Sequence, residues 1–337
     1  MMGSVRDTLG RPIRDLRISL TDRCNFRCTY CMPKEVFGAD YAFLPRSEIL
    51  SYEEIERAAR AFASLGVEKI RLTGGEPLLR RDVSVLIEKL GRIGGISDIS
   101  LTTNGVLLPL HAADLKKAGI DRINLSLDSL DGERFAAING GKATPQKVLE
   151  GLDAAAQAGL RVKVNMVVQK GVNEQDVLPM ATYFRERGIT LRFIEFMDVG
   201  TSNQWQMDKV FSAKEILDTI SKEHELEALQ PNYKGEVAMR YRYRGTQTEI
   251  GIISSVTQPF CSNCHRARIS ADGRLYTCLF ATKGFDLKSV IRSEISQEEL
   301  IDHISKIWMH RKDRYSEERS KGGPSEGKRV EMSFIGG

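Results

Sequence analysis

Six cysteines stand in two groups of three: Cys24, Cys28 and Cys31 near the N-terminus, and Cys261, Cys264 and Cys278 near the other end. The first group is spaced CxxxCxxC. Three thiolates on so compact a loop can hold three irons of a cubane cluster and leave the fourth iron open to a ligand. A structural zinc site usually takes four protein ligands, and no fourth cysteine or histidine lies nearby. An open iron implies chemistry rather than scaffolding. Tyr30, just before the last cysteine, adds a flat surface beside it.

The second group also lacks a fourth cysteine. A strand over 266–270 reaches Asp272-Gly273, a favoured two-residue hairpin turn, and the returning strand over 274–278 is expected to set Cys278 opposite Ala267 and close to Cys264. His265 adjoins Cys264 and is poorly placed to share its metal. A zinc ribbon short of one ligand is the bland alternative. A second cluster whose open iron takes a substrate nitrogen or oxygen is the favoured reading. Arg266 and Arg268 leave the same hairpin on one face, as forked donors suited to phosphate or a base edge.

These groups need elements to position them. Strand-like runs at 16–20, 69–73, 98–103, 122–128, 161–168 and 191–197 alternate with helix-patterned segments, the first opened by a Ser51/Glu54 capping box. Six such units predict an α/β fold, a partial (β/α)6 TIM-like barrel two units short of closure. A doubly wound sheet is the runner-up. The second run ends in Gly74-Gly75-Glu76-Pro77, at the strand edge where barrels keep their sites; its glycines would let a ligand approach the backbone. Alternate strand positions carry Arg17 and Ser19, Arg71 and Thr73, Ser100 and Thr102, Asn124 and Ser126, Lys163 and Asn165, against Leu, Ile and Val on the other side. Unpaired buried charge is costly, so this face predicts a water-filled cavity for an anion.

Near residue 230 the period shortens to two, which predicts two regions: a barrel core over 1–229 and a smaller C-terminal α+β region over 230–337 carrying the second cysteine group. Arg240, Arg242 and Arg244 alternate with Tyr241 and Tyr243. That pattern can bind single-stranded nucleic acid, but more often makes a hairpin strand with a solvated basic face. The net charge of 49 − 45 = +4 is too slight to argue for duplex nucleic acid. No apolar run has the length of a membrane span and no secretory signal opens the chain, so a cytoplasmic protein without membrane or nucleic-acid partners is expected. There, cysteines in threes read as metal ligands rather than disulfides.

CxxxC-x-aromatic-C followed by GGEP resembles the paired signatures of the radical S-adenosylmethionine (SAM) superfamily. The resemblance implies that the Gly75 segment meets the amino group of SAM, Ser126 its carboxylate, and Tyr30 and Met197 its adenine. With the second cysteine group, the Arg-Ala-Arg segment 266–268 and the terminal Gly336-Gly337, the chain resembles the GTP 3′,8-cyclases of molybdenum-cofactor biosynthesis from about Leu9 onward. That implies two [4Fe–4S] clusters. At the first, SAM is cleaved to a 5′-deoxyadenosyl radical that takes the 3′ hydrogen of GTP; the second holds the purine while C3′ closes onto C8. The implied GTP contacts are Arg17, Arg71, Thr102, Lys163, Arg266, Ala267 and Arg268, with Arg192 weaker because Glu195 breaks the parity of its strand. The resemblance further implies an electron donor, a commonly dimeric enzyme, and cyclic pyranopterin monophosphate synthase as the taker of the product.

The tail is ambiguous by sequence. Terminal glycines usually fray, yet 330–335 alternates apolar with mostly polar residues, as in a segment that docks. The resemblance implies that Gly336 and Gly337 enter the GTP site near Arg17 and assist catalysis. Two rivals remain. A radical SAM peptide maturase normally carries more C-terminal cysteines than three. A zinc-stabilised RNA-binding protein would explain the hairpin arginines but neither GGEP nor the polar barrel face.

Overall fold

The computed structural model describes residues 5–233, 235–319 and 329–336. Six parallel strands form its centre: β1 Asp15–Ser19, β2 Lys69–Thr73, β3 Asp98–Thr103, β4 Arg122–Ser126, β5 Arg161–Val168 and β6 Thr190–Glu195. Helices α1 Tyr52–Ser64, α2 Val83–Gly91 and α3 Leu108–Lys117 join the first four. The fourth crossover holds two helices, α4 Gly132–Asn139 and α5 Pro145–Gln157, and the fifth holds α6 Val177–Glu186. The sequence pattern had not suggested α4, whose N-terminus is fixed by Asp131 accepting from the Arg134 amide at 2.9 Å.

Outward strand positions such as Leu16, Ile18, Ile70, Leu72, Leu101 and Ile123 are buried beneath the helices, where α1 contributes Ile55, Ala58, Ala59 and Phe62. Each large aliphatic so buried contributes about 1.5–3 kcal/mol. The Ser51/Glu54 capping box forms as expected.

Beyond α7 Ala213–Ile220, short strands extend the sheet at both edges. β7 Leu226–Leu229, β8 Met239–Tyr243 and β9 Glu249–Ile253 continue it past β6, with β9 parallel to β6. β10 Arg266–Ile269, β11 Arg274–Tyr276 and β12 Phe285–Asp286 continue it past β1, with β10 parallel to β1. The order β12-β11-β10-β1-β2-β3-β4-β5-β6-β9-β8-β7 has two free ends, so the barrel is partial and open. Helices α8 Leu287–Arg292, α9 Gln297–Met309 and α10 Tyr315–Glu318 follow, with α9 against α1. The last turn, α11 Met332–Ile335, packs on β1. Among the described residues no helix is long and apolar enough to cross a membrane.

Two expectations need correction. The β10–β11 loop has three residues, 271–273, because Ser270 and Arg274 already pair (Ser270 N–H to Arg274 O, 2.9 Å) and Gly273 takes φ +76°. A three-residue loop with glycine in the left-handed region shifts register by one. Arg268 therefore faces Tyr276, and the same count sets Arg266, not Ala267, opposite Cys278. The 330–335 run ends in a helical turn, Met332–Ile335, docked on β1. Finally, the arginines in and just after β8 are paired rather than merely solvated: Arg240 with Glu249, Arg242 with Glu227, and Arg244 with Glu225 and Glu227.

Candidate active site

The polar strand face encloses a cavity of about 410 Å³ whose walls carry all six cysteines. The N-terminal three lie on the loop after β1. Arg27 shapes that loop, donating to the carbonyls of Cys24 (2.8 Å), Phe26 (2.7 Å) and Phe37 (2.7 Å). The Gly74-Gly75 pair presses against it from β2. Gly75 donates to Thr21 O at 2.7 Å, Glu76 to Arg23 O at 2.8 Å, and a Cβ on Gly75 would lie 2.1 Å from Arg23 O. In this structure, then, the glycines serve the approach of two protein backbones.

Cys261 and Cys264 occupy a tight turn closed by Cys264 N–H to Cys261 O at 3.1 Å, and Cys278 follows β11. Burial alone would raise the Cys264 thiol, but Arg266, 3.4 Å from its sulfur, and Arg311 override it and hold the pKa at about 6. Burial pushes Cys24 and Cys278 up to about 12. None of the six is in a disulfide. Among the described residues no three His, Cys, Asp or Glu side chains close on a single metal ion. Cubane clusters join their cysteines to separate irons, and three free thiols at each end of one cavity fit such a pair.

Between the two groups runs a row of cations. Register places Arg17 beside Arg268 on one side and Arg71 on the other. Thr102, Asn124 and Lys163 form a second row, and Asn165 pairs with Arg192 in a third. Burial and then the neighbouring guanidiniums depress Arg17 well below its ordinary pKa, and Arg268 and Arg192 to about 9. Burial and then Arg192 lower Lys163. Such a site favours an anion strongly. Among the described residues, the buried Arg71 Nε and Asn124 Nδ2 have no hydrogen-bond partner, so a ligand would be their natural acceptor.

Of the expected GTP contacts, Arg17, Arg71, Thr102, Lys163, Arg192, Arg266 and Arg268 line this cavity, as do Tyr30, Gly75, Ser126 and Met197 of the SAM set. Ala267 does not; its methyl is in the hydrophobic core. Arg192 belongs with the inward residues after all. It donates to Asn165 Oδ1 (2.9 Å) and Asn124 Oδ1 (2.5 Å), whereas Glu195 is taken up by Ala213, Val256 and Thr257. Gly251 leaves room for it, since a Cβ there would meet Arg192 Cγ at 2.9 Å. Gly336 sits by Thr73 with its carbonyl accepting from Arg268 Nη1; Gly337 lies outside the described residues.

Two carboxylates went unassigned in the sequence. Glu76, inside GGEP, accepts from the Leu78 amide, the Asn104 amide and Thr103 Oγ1; burial pushes its pKa up to about 7. Asp128 accepts from Tyr30 Oη at 2.8 Å and the Val167 amide at 2.9 Å, and burial raises it to about 6. The signal for Asp128 was parity, since 124, 126 and 128 share a face.

Comparison with known proteins agrees with this geometry. The Radical SAM superfamily model matches residues 18–184, and the Molybdenum Cofactor Synthesis C model matches 189–317. Two proteins of Staphylococcus aureus, strains Mu3 and Newman, both named GTP 3′,8-cyclase, are 51% identical over 340 residues, covering 100% of this chain and of each relative. Among solved structures, Streptococcus suis SuiB bound to S-adenosylmethionine superposes with a TM-score of 0.62 at 15% identity, over 87% of this chain and 65% of that one. SuiB with its precursor peptide SuiA gives 0.59 at 14%, over 88% and 64%. The latter two share the fold. Full-length identity carries the family: this chain belongs to the GTP 3′,8-cyclases of the radical SAM superfamily.

Proposed function

We propose that this chain converts GTP to (8S)-3′,8-cyclo-7,8-dihydroguanosine 5′-triphosphate, the first step of molybdenum-cofactor biosynthesis. A 5′-deoxyadenosyl radical removes H3′ of GTP, the C3′ radical adds to C8, and the resulting purine radical takes one electron from an external donor and one proton. The observation that carries this reading is one cavity with a cysteine triad at each end and buried cations between. Cys24, Cys28 and Cys31 would hold the SAM-binding cluster, and Cys261, Cys264 and Cys278 the other. When bound, the first supplies the electron that cleaves SAM and the second an open iron for the purine.

The chain's own residues bind and orient. Arg17, Arg71, Lys163 and Arg192 supply the charge that a triphosphate needs, at a site where charge-assisted hydrogen bonds gain from burial. Arg266 and Arg268 stand beside the second triad and suit the nucleotide end nearest it. Tyr30, held by Asp128, and Met197 would flank the adenine of SAM, with Ser126 and the Gly75 backbone at its amino-acid end. The tail, whose Gly336 meets Arg268, would help orient GTP, with Gly337 assigned the same role. The reading requires an external electron donor, places the enzyme in the cytoplasm where six free thiols persist, and passes the product to cyclic pyranopterin monophosphate synthase.

The test is anaerobic incubation of reconstituted protein with SAM, dithionite and GTP deuterated at C3′. The expected result is the cyclised triphosphate by mass, with deuterium in 5′-deoxyadenosine. Serine at any of Cys24, Cys28 or Cys31 should abolish SAM cleavage; serine at Cys261, Cys264 or Cys278 should leave cleavage without cyclisation. Cyclisation surviving loss of the C-terminal triad would overturn the assignment.

A further inference from the structure

Asp198 directly follows Met197 on the loop after β6 and is only 5% exposed. Its Oδ1 accepts from Arg319 Nη2 (2.7 Å) and Nε (3.1 Å). Its Oδ2 accepts from Tyr315 Oη (2.5 Å) and Arg329 Nη1 (2.9 Å), and its backbone carbonyl accepts from Arg329 Nη1 at 2.7 Å. Arg319 and Arg329 stand on either side of residues 320–328, so one carboxylate grips the chain before and after that stretch.

The grip continues two residues on. Glu331 Oε1 accepts from the Thr201 amide and hydroxyl, both at 3.0 Å, and Oε2 accepts from Ser202 Oγ at 2.7 Å. Gly200, at φ +74°, is what permits this approach, since a Cβ there would lie 2.1 Å from Glu331 Oε2. From Glu331 the helical turn α11 runs to Gly336, whose carbonyl meets Arg268 at the cavity.

We propose that Asp198 and Glu331 form a two-point latch that sets where the C-terminal tail begins and so delivers Gly336 to Arg268. They are positioning residues for cyclisation, an inference that rests on the catalytic role proposed above for the tail. Charge and burial support it. A buried carboxylate shared by two arginines is strongly coupled to both, and burying the tail's anchor removes most of the freedom its few remaining residues would otherwise have.

The test uses reconstituted full-length Asp198→Asn, Arg329→Gln and Glu331→Ala, with the chain ending at Ile335 as reference. The expected result for each variant is parent-level iron and SAM cleavage within about twofold, a tenfold or larger fall in cyclised product per 5′-deoxyadenosine, and faster hydrogen exchange confined to residues 329–336. Asp198→Asn combined with Arg329→Gln should be no worse than either alone, as for two halves of one contact. Parent coupling ratios in both Asp198→Asn and Arg329→Gln, while the truncated chain fails to cyclise, would overturn the latch alone. A truncated chain that cyclises at the parent rate would overturn the role of the tail itself. Equal loss of iron, SAM cleavage and cyclisation would mean that Asp198 merely supports the fold, and would overturn the latch too.

Discussion

Arg17 has a guanidinium neighbour on each side, Arg268 on β10 and Arg71 on β2, at the roughly 4.8 Å spacing of adjacent strands. Only an anion relieves such a row, and a triphosphate carries enough charge to do so. Lys163→Ala and Arg17→Ala should therefore weaken GTP far more than SAM. Charge-assisted hydrogen bonds are worth roughly 1.5–3 kcal/mol each, about tenfold to a hundredfold in Kd. Calorimetric titration with each ligand decides it, and equal losses would give these residues a structural role. The same scale holds a pH effect. Burial raises the Asp128 carboxyl from 3.8 to about 6, so the folded protein binds this proton more tightly than the unfolded chain. Its stabilising contribution is full below pH 3.8 and is lost as pH rises through 6, on the order of 3 kcal/mol. Asp128→Asn, which can still accept from Val167, should flatten that part of the Tm–pH profile; an unchanged slope would place the titration elsewhere. Arg17, Arg71, Thr102 and Lys163 were legible because strand parity has a period of two and each sits on a regular strand. Arg192 shares their face, and Glu195, three residues on, falls on the opposite one, so its presence says nothing against Arg192.

At the scale of elements, the two cysteine loops show what spacing conveys and what it omits. CxxxCxxC marks the three proposed ligands, but not the support beneath them. That support is the Gly74-Gly75 turn after β2, which bonds to Thr21 and Arg23. The motif was readable; its contact with a backbone 50 residues earlier was not, because no local pattern encodes which loop a glycine will touch. Gly75→Ala would put a methyl 2.1 Å from Arg23 O, and rigid backbone on both sides leaves no cheap relief. We expect this variant to lose the N-terminal cluster and keep the other, about four irons per chain instead of about eight, with no SAM cleavage and retained GTP binding. Full iron content would show that the loop accommodates the change. The hairpin between β10 and β11 taught a related lesson. Asp272-Gly273 correctly marked a turn, but a two- and a three-residue loop share that dipeptide, and the difference moves the residue opposite Cys278 from Ala267 to Arg266.

The whole molecule is joined where the segment before β1 meets the segment after α9. Asp7, near the start, and Arg311, after α9, form a buried ion group with Arg11: Asp7 Oδ2 is 2.5 Å from Arg11 Nε and 3.4 Å from Arg311 Nη1. Both arginines also donate to the second cysteine turn, Arg11 Nη1 to Cys261 O at 2.8 Å and Arg311 Nη1 to Cys264 O at 2.7 Å. Trp308 closes the group with Nε1 donating to Arg11 O at 3.0 Å. Nothing in the sequence announced this, since a contact across some three hundred residues leaves no periodicity, and an Asp four residues before an Arg is ordinary. Yet it explains how a C-terminal triad is aimed into a cavity built mainly by the first six strands: β10 pairs with β1, and the segment just before β1 braces the turn that precedes β10. Removing the one carboxylate that two buried guanidiniums share is costly, roughly 3–5 kcal/mol for a buried pair broken from one side. Asp7→Asn should therefore lower Tm and loosen the second cluster selectively, so that iron falls toward half, SAM is still cleaved, and GTP is no longer cyclised. Iron analysis beside 5′-deoxyadenosine and product yields checks this. If both clusters are lost together, the brace serves the fold at large; if neither is, the hairpin alone is enough to aim Cys261, Cys264 and Cys278.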